Sequence, residues 1–125
     1  MTASVLVVDA ANVVGSRPDG WWKDRQGAAQ RLLERIGSAV AAERVEGPVV
    51  VVLEGRAREA EVPGGQADLT VVRAPGSGDD AIVAVVSEAG GERATVVTAD
   101  RGLGERVRRL GARVESPGRF LNRLG

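Results

Sequence analysis

The strongest constraint on this chain is a series of short apolar runs that are rich in valine and do not alternate with polar residues. Such runs indicate β-strands buried on both faces, because alternation is the mark of a strand with one face in water. Glycine, proline or polar residues bound each run and limit it to the length of a strand. The five runs are SVLVV, PVVVVL, LTVV, ATVVT and the short ARV.

Helical patterns separate these runs. The clearest covers residues 24–44, where Ala28, Ala29, Leu32, Leu33, Ile36 and Val40 fall on one face and charged residues on the other. Two shorter patterns predict helices over residues 78–89 and 102–110. Alternating strands and helices predict an α/β fold, with three layers and a mostly parallel, twisted sheet flanked by helices.

The length of 125 residues and a hydrophobic content of 43% suit one domain, which we expect to span residues 1–125. Residues 55–67, GRAREAEVPGGQA, form the one irregular stretch, and we expect a mobile surface loop there. The opening MTASVLVVDA lacks the charged start and the long apolar core of an export signal. The expected location is the cytoplasm, without a membrane partner.

Composition excludes several classes of function. The chain has no Cys and no His, which excludes zinc ribbons, thiol nucleophiles and histidine bases. Neither a phosphate-binding P-loop nor a dinucleotide-binding glycine motif is present, so we expect no organic cofactor. A receiver domain needs a lysine late in the chain, where only Lys23 exists, and a haloacid-dehalogenase-type phosphatase needs an acid at Ala11. Carboxylates must therefore do any acid, base or metal chemistry.

Acidic residues follow the apolar runs almost without exception. In an open parallel sheet, ligands bind beyond the carboxyl ends of the strands, so side chains there should lie together. Clustered carboxylates repel one another and are stabilised by a cation, and all-oxygen ligands favour Mg²⁺ or Mn²⁺. The residues concerned are Asp9 with Asn12 after the first run, Glu54 after the second, Asp79 and Asp80 after the third, and Asp100 after the fourth.

Each acid also has a structural alternative. The segment Ser77 to Asp80 has the pattern of a capping box, with Asp80 at its third helical position. Asp100 can cap the helix predicted from residue 102, and Glu54 can be a solvated loop residue. Asp9 is less readily explained as a cap, because Ala-Ala-Asn follows it. Capping does not explain why every strand end should carry an acid.

Four segments, VLVVDAANVV, VVVLEG, GSGDDAIV and VVTADRGL, together resemble the NYN domains of the PIN-like nuclease superfamily. Asp9 and Asn12 match the family's D-x-x-N, Thr98 and Asp100 match its T-x-D, and Asp79 matches its middle acid. The resemblance implies a compact α/β ribonuclease that holds Mg²⁺ or Mn²⁺ and leaves a 5′-phosphate. Two departures are Ala10-Ala11, where Gly-Tyr is usual, and glutamate where related sequences often have aspartate.

These observations lead to the hypothesis of a metal-dependent ribonuclease. RNA is the expected partner, and a homo-oligomer is possible. The alternative is a catalytically weak NYN-like RNA-binding or regulatory module, or a PIN-type toxin held by an antitoxin. The expected catalytic residues are Asp9, Asp79, Asp100, Glu54 and Asn12, with the four acids as metal ligands and Thr98 and Asp80 orienting them.

Two adjacent tryptophans, Trp21 and Trp22, stand among cations and have the composition of a stacking platform for single-stranded nucleic acid. We expect one ring to pack and the other to be available, and Arg17, Lys23 and Arg101 to contact RNA. The alternative is that both rings serve packing or a protein contact. The remaining C-terminal arginines, at positions 106, 108, 109, 113, 119 and 123, either contact phosphates or solvate the surface.

Overall fold

The computed structural model describes residues 4–61 and 68–125, and a five-stranded sheet forms its centre. All neighbouring strands in the sheet are parallel, and the predicted strands are confirmed. The strands are β1 (Val5–Asp9), β2 (Val49–Leu53), β3 (Leu69–Arg73), β4 (Ala94–Val97) and β5 (Arg113–Glu115), in the spatial order β3-β2-β1-β4-β5.

Helices cover both faces of this sheet, which confirms the predicted three-layer α/β fold. The helices are α1 (Ala10–Gly15), α2 (Arg25–Ala41), α3 (Gly78–Glu88), α4 (Arg101–Arg109) and α5 (Pro117–Leu124). The three predicted helices correspond to α2, α3 and α4, whereas α1 and α5 were not predicted. Two 3₁₀ helices, Trp21–Lys23 and Gly55–Glu59, complete the elements of the described residues.

The apolar residues form one core on each side of the sheet. On one side α1, α2 and α5 pack over the strands, with Leu33, Ile36 and Phe120 fully buried. On the other side α3 and α4 contribute Ile82 and Val107. The central strands β1, β2 and β4 therefore bury both faces, which is why their sequences are continuous in valine, whereas the edge strands β3 and β5 keep exposed residues.

The prediction of an irregular, mobile loop over residues 55–67 is wrong for the first part of that segment. Residues Gly55–Glu59 form a 3₁₀ helix, and Ala60 beyond it is fully buried. The side-chain amides of Gln26 and Gln30 in α2 donate to the carbonyls of Glu59 and Glu61, so polar contacts that local sequence does not reveal hold this segment. The rest of the predicted loop, residues 62–67, lies outside the described residues.

The order of the strands creates a switch point at the centre of the sheet. From β1 the chain moves to β2 and β3 on one side and later returns to β4 and β5 on the other. Loops leaving the carboxyl ends of β1 and β4 therefore diverge, and such a crevice is where open α/β sheets bind ligands. Among the described residues, no helix is long and apolar enough to cross a membrane.

Candidate active site

Strand register brings the ends of β1, β2 and β4 level with one another. Asp9 is paired with Val52, two residues before Glu54, and Val8 is paired with Val97, directly before Thr98. Asp9, Glu54 and Thr98 therefore leave the sheet at the same edge, on either side of the switch point. The predicted convergence of strand-end side chains is present in these three.

Asp9 is the buried centre of this edge, with 6% of its surface exposed. Its Oδ2 accepts a hydrogen bond of 2.9 Å from the Thr98 hydroxyl, and its Oδ1 accepts one of 3.3 Å from the backbone N–H of Asn12. Burial raises the pKa of Asp9 from 3.8 to about 6, against the lowering effect of these two bonds, and the charges of Asp79 and Glu54 add to the rise.

The bond to Asn12 makes Asp9 the N-cap of α1, so the expectation that Asp9 is not a cap is wrong. One carboxylate oxygen accepts from the third residue along, which is the ordinary geometry of an aspartate cap. The sequence Ala-Ala-Asn is compatible with this cap because α1 has only six residues and buries two of them, Ala10 and Val13.

A hydrogen-bonded chain joins the loops after β1 and β4. The side-chain oxygen of Asn12 accepts from the N–H of Ala99 at 2.7 Å, and the Thr98 hydroxyl oxygen accepts from the N–H of Asp100 at 3.1 Å. Asp100 in turn caps α4, with its Oδ1 3.0 Å from the N–H of Leu103. The structural alternative for Asp100 is thus correct as far as it goes, and it occupies one of the two carboxylate oxygens.

Glu54 meets the start of α3. Its Oε2 accepts a 2.7 Å hydrogen bond from the N–H of Gly78, at the positive end of the helix dipole. Gly78 permits this approach, since a Cβ there would lie 3.2 Å from the carboxyl carbon of Glu54. Glu54 is therefore held in place by α3, and the next residue of α3 is Asp79. A glycine directly before that acid is the sequence signal for this contact.

Asp79 and Asp80, the two acids at the start of α3, make different contacts. Ser77 is the N-cap, as predicted, and its hydroxyl accepts from the N–H of Asp79 at 3.2 Å. Asp80 does not follow the capping-box expectation, because its exposed carboxylate is paired with Arg106 of α4 at 3.0 Å. The sequence predicted only two roles for Arg106, phosphate contact or surface solvation, and did not indicate this ion pair.

The charges of these acids influence one another. Partial burial raises the pKa of Asp79, as do Asp100 and Glu54 nearby, while Arg106 opposes the rise. Asp9, Glu54, Asp79 and Asp100 therefore share one region of negative potential, although they come from four different connections. Their all-oxygen chemistry fits a hard divalent cation. Within residues 4–61 and 68–125, no three acids form a ready-made metal site.

The two tryptophans have different environments, as predicted. Trp22 is 53% exposed, whereas Trp21 is half-buried, and the two rings meet edge to face with centroids 5.9 Å apart. The guanidinium of Arg25 lies 5.5 Å from the centre of the Trp21 ring. Lys23 belongs to the same 3₁₀ helix and lines a groove with Trp22.

The predicted RNA-contacting cations do not all share this location. Arg17 lines a separate cavity of about 170 Å³ with Asp19 and Arg31. Arg101 is exposed at the first position of α4, next to Asp100. Arg123 forms two hydrogen bonds with Glu115, of 2.7 and 3.0 Å, and is engaged within the protein. Of the predicted cations, Lys23 lies beside the tryptophans, Arg101 adjoins Asp100, and Arg106 is paired with Asp80.

An all-parallel five-stranded sheet with helices on both faces and acids at its switch point defines a three-layer α/β fold consistent with the PIN-like class, and comparison with solved structures supports this fold. The crystal structure of Rae1 (YacP) from Bacillus subtilis matches with a TM-score of 0.70 and 19% identity, over 99% of this chain and 74% of that chain. A mutant of the same protein matches with a TM-score of 0.66 and 18% identity, over 96% and 73%.

No family model matches the chain, and no curated protein matches it in sequence. At the identities found, the likeness to Rae1 shows the fold alone. The functions of individual residues must therefore be argued from their chemistry.

Proposed function

We propose that the protein is a metal-dependent ribonuclease whose reaction takes place at the edge formed by Asp9, Glu54, Asp79 and Asp100. The observation that carries the proposal is the raised pKa of buried Asp9, to which the charges of Glu54 and Asp79 contribute. A bound divalent cation would relieve this repulsion, which adds to the larger effect of burial on the pKa of Asp9. The NYN-type fold adds support at the level of reaction class.

In this proposal Asp9, Asp79 and Asp100 are the principal metal ligands, and Glu54 is a fourth acid that binds directly or through water. Mg²⁺ or Mn²⁺, when bound, would activate a water molecule and stabilise the charge on the leaving oxygen. Thr98 orients Asp9 through its 2.9 Å hydrogen bond. Asn12 fixes the loop after β4, which places Asp100 relative to Asp9. Asp80 acts on Asp79 by holding Arg106 close to it.

The RNA strand would approach over the surface that carries Trp22 and Lys23, with Arg101 on the other side of the acids. An exposed aromatic ring gives a stacking surface for any base, and the cations offset the repulsion between phosphates and the acidic edge. RNA binding by these residues is part of the proposal.

The direct test is cleavage of end-labelled single-stranded and duplex RNA by purified protein in EDTA, Mg²⁺ or Mn²⁺. Asp79→Asn should lower the rate by at least about 100-fold, since even residues outside the ligand shell change metal-site activity by up to that factor. Glu88→Gln is the matched control, because Glu88 is exposed at the other end of the same helix. Equal rates for Asp79→Asn and wild type would contradict the proposal.

One observation favours a second function, that of an RNA-binding or regulatory module without strong catalysis. The described acids include no ready-made three-ligand site. The same assay separates the two functions: RNA binding without metal-dependent cleavage, at any Mg²⁺ or Mn²⁺ concentration, would establish the module and exclude the nuclease.

A further inference from the structure

A cavity of about 460 Å³ opens directly beside the acidic edge, and nothing in the proposed chemistry uses it. Its volume lies within the ~300–1,000 Å³ typical of small-molecule sites. Glu54 belongs both to the cavity wall and to the acidic edge, so one side chain borders both. The floor consists of the small apolar side chains Ala10, Ala11, Val14, Ala29 and Ala57.

One wall of this cavity is the ring of Trp21, which neighbouring groups contact from several sides. Trp21 lines the cavity, with the Arg25 guanidinium 5.5 Å from its ring centre and Trp22 edge-on at 5.9 Å. The backbone at Gly15 is also close, since a Cβ there would lie 3.7 Å from the Trp21 ring. The ring is therefore positioned before any ligand binds, which lowers the entropy lost on binding.

The polar groups of the cavity complement a particular kind of ligand. Arg25 is a pure hydrogen-bond donor, and Glu54, when ionised, is a pure acceptor. A planar wall with one donor and one acceptor suits a nucleobase, which has a π-face and carries both acceptors and donors on its edge. Because Oε2 of Glu54 already accepts from Gly78, Oε1 remains as the acceptor for a ligand, and an aliphatic side chain would form a hydrogen bond with neither this oxygen nor Arg25.

We propose that this cavity binds one unpaired nucleobase of the RNA strand, stacked on Trp21, next to the phosphate held at the acidic edge. The proposal rests on the proposed ribonuclease function and adds a substrate class to it: single-stranded RNA with a base at one defined position. A paired base must leave its duplex before it can enter, so intact duplex is a poor ligand.

A second groove continues the path away from the acids. It has a volume of about 430 Å³, is lined by Trp22, Lys23 and Arg56, and shares Arg25 and Gly55 with the cavity. Exposed cations there are placed to contact the phosphates of the next nucleotides, and Trp22 offers a second stacking surface. The cavity thus lies between the acidic edge and an aromatic groove of mixed charge, in which Asp24 and Glu59 accompany the three cations.

The space for a base depends on alanines at positions 10 and 11. Ala10 is buried, whereas Ala11 is exposed in α1 and lines the cavity, so Ala11→Leu adds bulk there without entering the core. Ala84→Leu is the matched control, because Ala84 is exposed in α3 on the other face of the sheet. Both substitutions keep a good helix former.

The test measures RNA binding rather than cleavage. All proteins carry Asp79→Asn and are kept in EDTA, and the probe is a fluorescein-labelled single strand of about ten nucleotides, read by anisotropy. We expect Ala11→Leu and Trp21→Ala to weaken binding by about 5- to 150-fold, the equivalent of losing one stacked base. Ala84→Leu should bind as the parent does.

Abasic probes test the same cavity without changing the protein. Removing the base at one position of the strand should weaken binding to the parent by a similar factor, and should have little further effect on Ala11→Leu. In a Trp22→Phe protein, the fluorescence of Trp21 should be quenched by the intact strand and less by the abasic one. Equal affinities for all variants and probes, or equal binding of duplex, would overturn the proposal.

The outcomes also separate the cavity from the nuclease. Base-dependent binding together with an inactive wild-type protein would support the cavity and exclude the nuclease. Metal-dependent cleavage together with unchanged binding by Ala11→Leu would support the nuclease and exclude the cavity.

Discussion

Asp9 has several structural roles at the same time. It ends β1, caps α1 and accepts the hydroxyl of Thr98, all while buried beside other acids. Each of these bonds favours the charged carboxylate, yet burial and repulsion outweigh them, so its pKa rises to about 6. The balance between these forces can be measured through stability.

Replacing Asp9 by Asn should change the pH dependence of folding. The folded protein binds this proton more tightly than the unfolded chain does, so the stabilisation is complete below pH 3.8 and is lost as the pH rises through about 6. A rise of two pKa units equals about 3 kcal/mol. In metal-free buffer, Asp9→Asn should exceed the wild type in free energy of unfolding by up to that amount at pH 8 and converge with it near pH 4.

Chemical denaturation across this range is the measurement. Asp19→Asn, at an exposed aspartate of the loop after α1, is the control and should show no such convergence. If the difference in free energy of unfolding between wild type and Asp9→Asn does not vary with pH, the pKa of Asp9 is the same in the folded and the unfolded protein, which would contradict the prediction.

Trp22 should matter for RNA rather than for folding. Since 53% of its surface is exposed, Trp22→Ala should change the free energy of unfolding by no more than about 0.5 kcal/mol. Loss of a stacking surface should weaken the affinity for single-stranded RNA by about 5-fold or more. Thermal unfolding and anisotropy measure the two quantities, and a large loss of stability with unchanged affinity would assign Trp22 to packing.

At the scale of elements, helices were predictable where an amphipathic face was long. Helix α2 covers residues Arg25–Ala41 within the predicted 24–44, whereas α1 is six residues long, fewer than two turns, which is too short for an amphipathic repeat to stand out. Helix α5 had a usable signal in Ser116-Pro117, a cap followed by proline at the first position, with Phe120, Leu121 and Leu124 buried. Its start could therefore have been predicted from the sequence, since at eight residues it is only one residue shorter than α4, which was predicted.

The contact between α3 and β2 gives a prediction at this scale. Gly78→Ala would place a Cβ 3.3 Å from Oε2 of Glu54, and the flexible glutamate would have to move. Because alanine is the better helix former by ~1 kcal/mol, stability should stay within about 1 kcal/mol of the wild type while cleavage falls. Gly118→Ala is the control, since a Cβ there has open space.

Thermal unfolding and cleavage rates are measured on both glycine variants. The expected pattern is a loss of activity in Gly78→Ala alone, with both proteins folded. If Gly78→Ala cleaves RNA as fast as the wild type, the position that α3 imposes on Glu54 is not needed for the reaction.

For the whole molecule, metal binding should link the four connections that carry the acids. A ligand that binds only the folded state stabilises it by about 2.7 kcal/mol at 100 times its dissociation constant. We expect millimolar Mn²⁺ to raise the Tm of the wild type. Asp100→Asn should lose most of this response but remain folded, because asparagine caps a helix about as well as aspartate.

The control for this experiment is Glu88→Gln, which should keep the full response to Mn²⁺. Equal shifts in wild type and Asp100→Asn would assign Asp100 to capping α4 alone, consistent with its 3.0 Å bond to Leu103. The comparison therefore decides between the two roles that a single aspartate at a strand end can have.

The sequence by itself determined the parallel α/β sheet, because unbroken apolar runs, typical of strands buried on both faces, alternate in it with helical patterns. It also determined which residues stand at the carboxyl edge, since every strand there is followed by an acid. Only the tertiary structure decided which oxygens are already used, as with Asp80 and Arg106, and that Trp21 and Glu54 enclose one cavity. Those relations join residues far apart in the chain, and their distances depend on how the layers pack rather than on any local pattern.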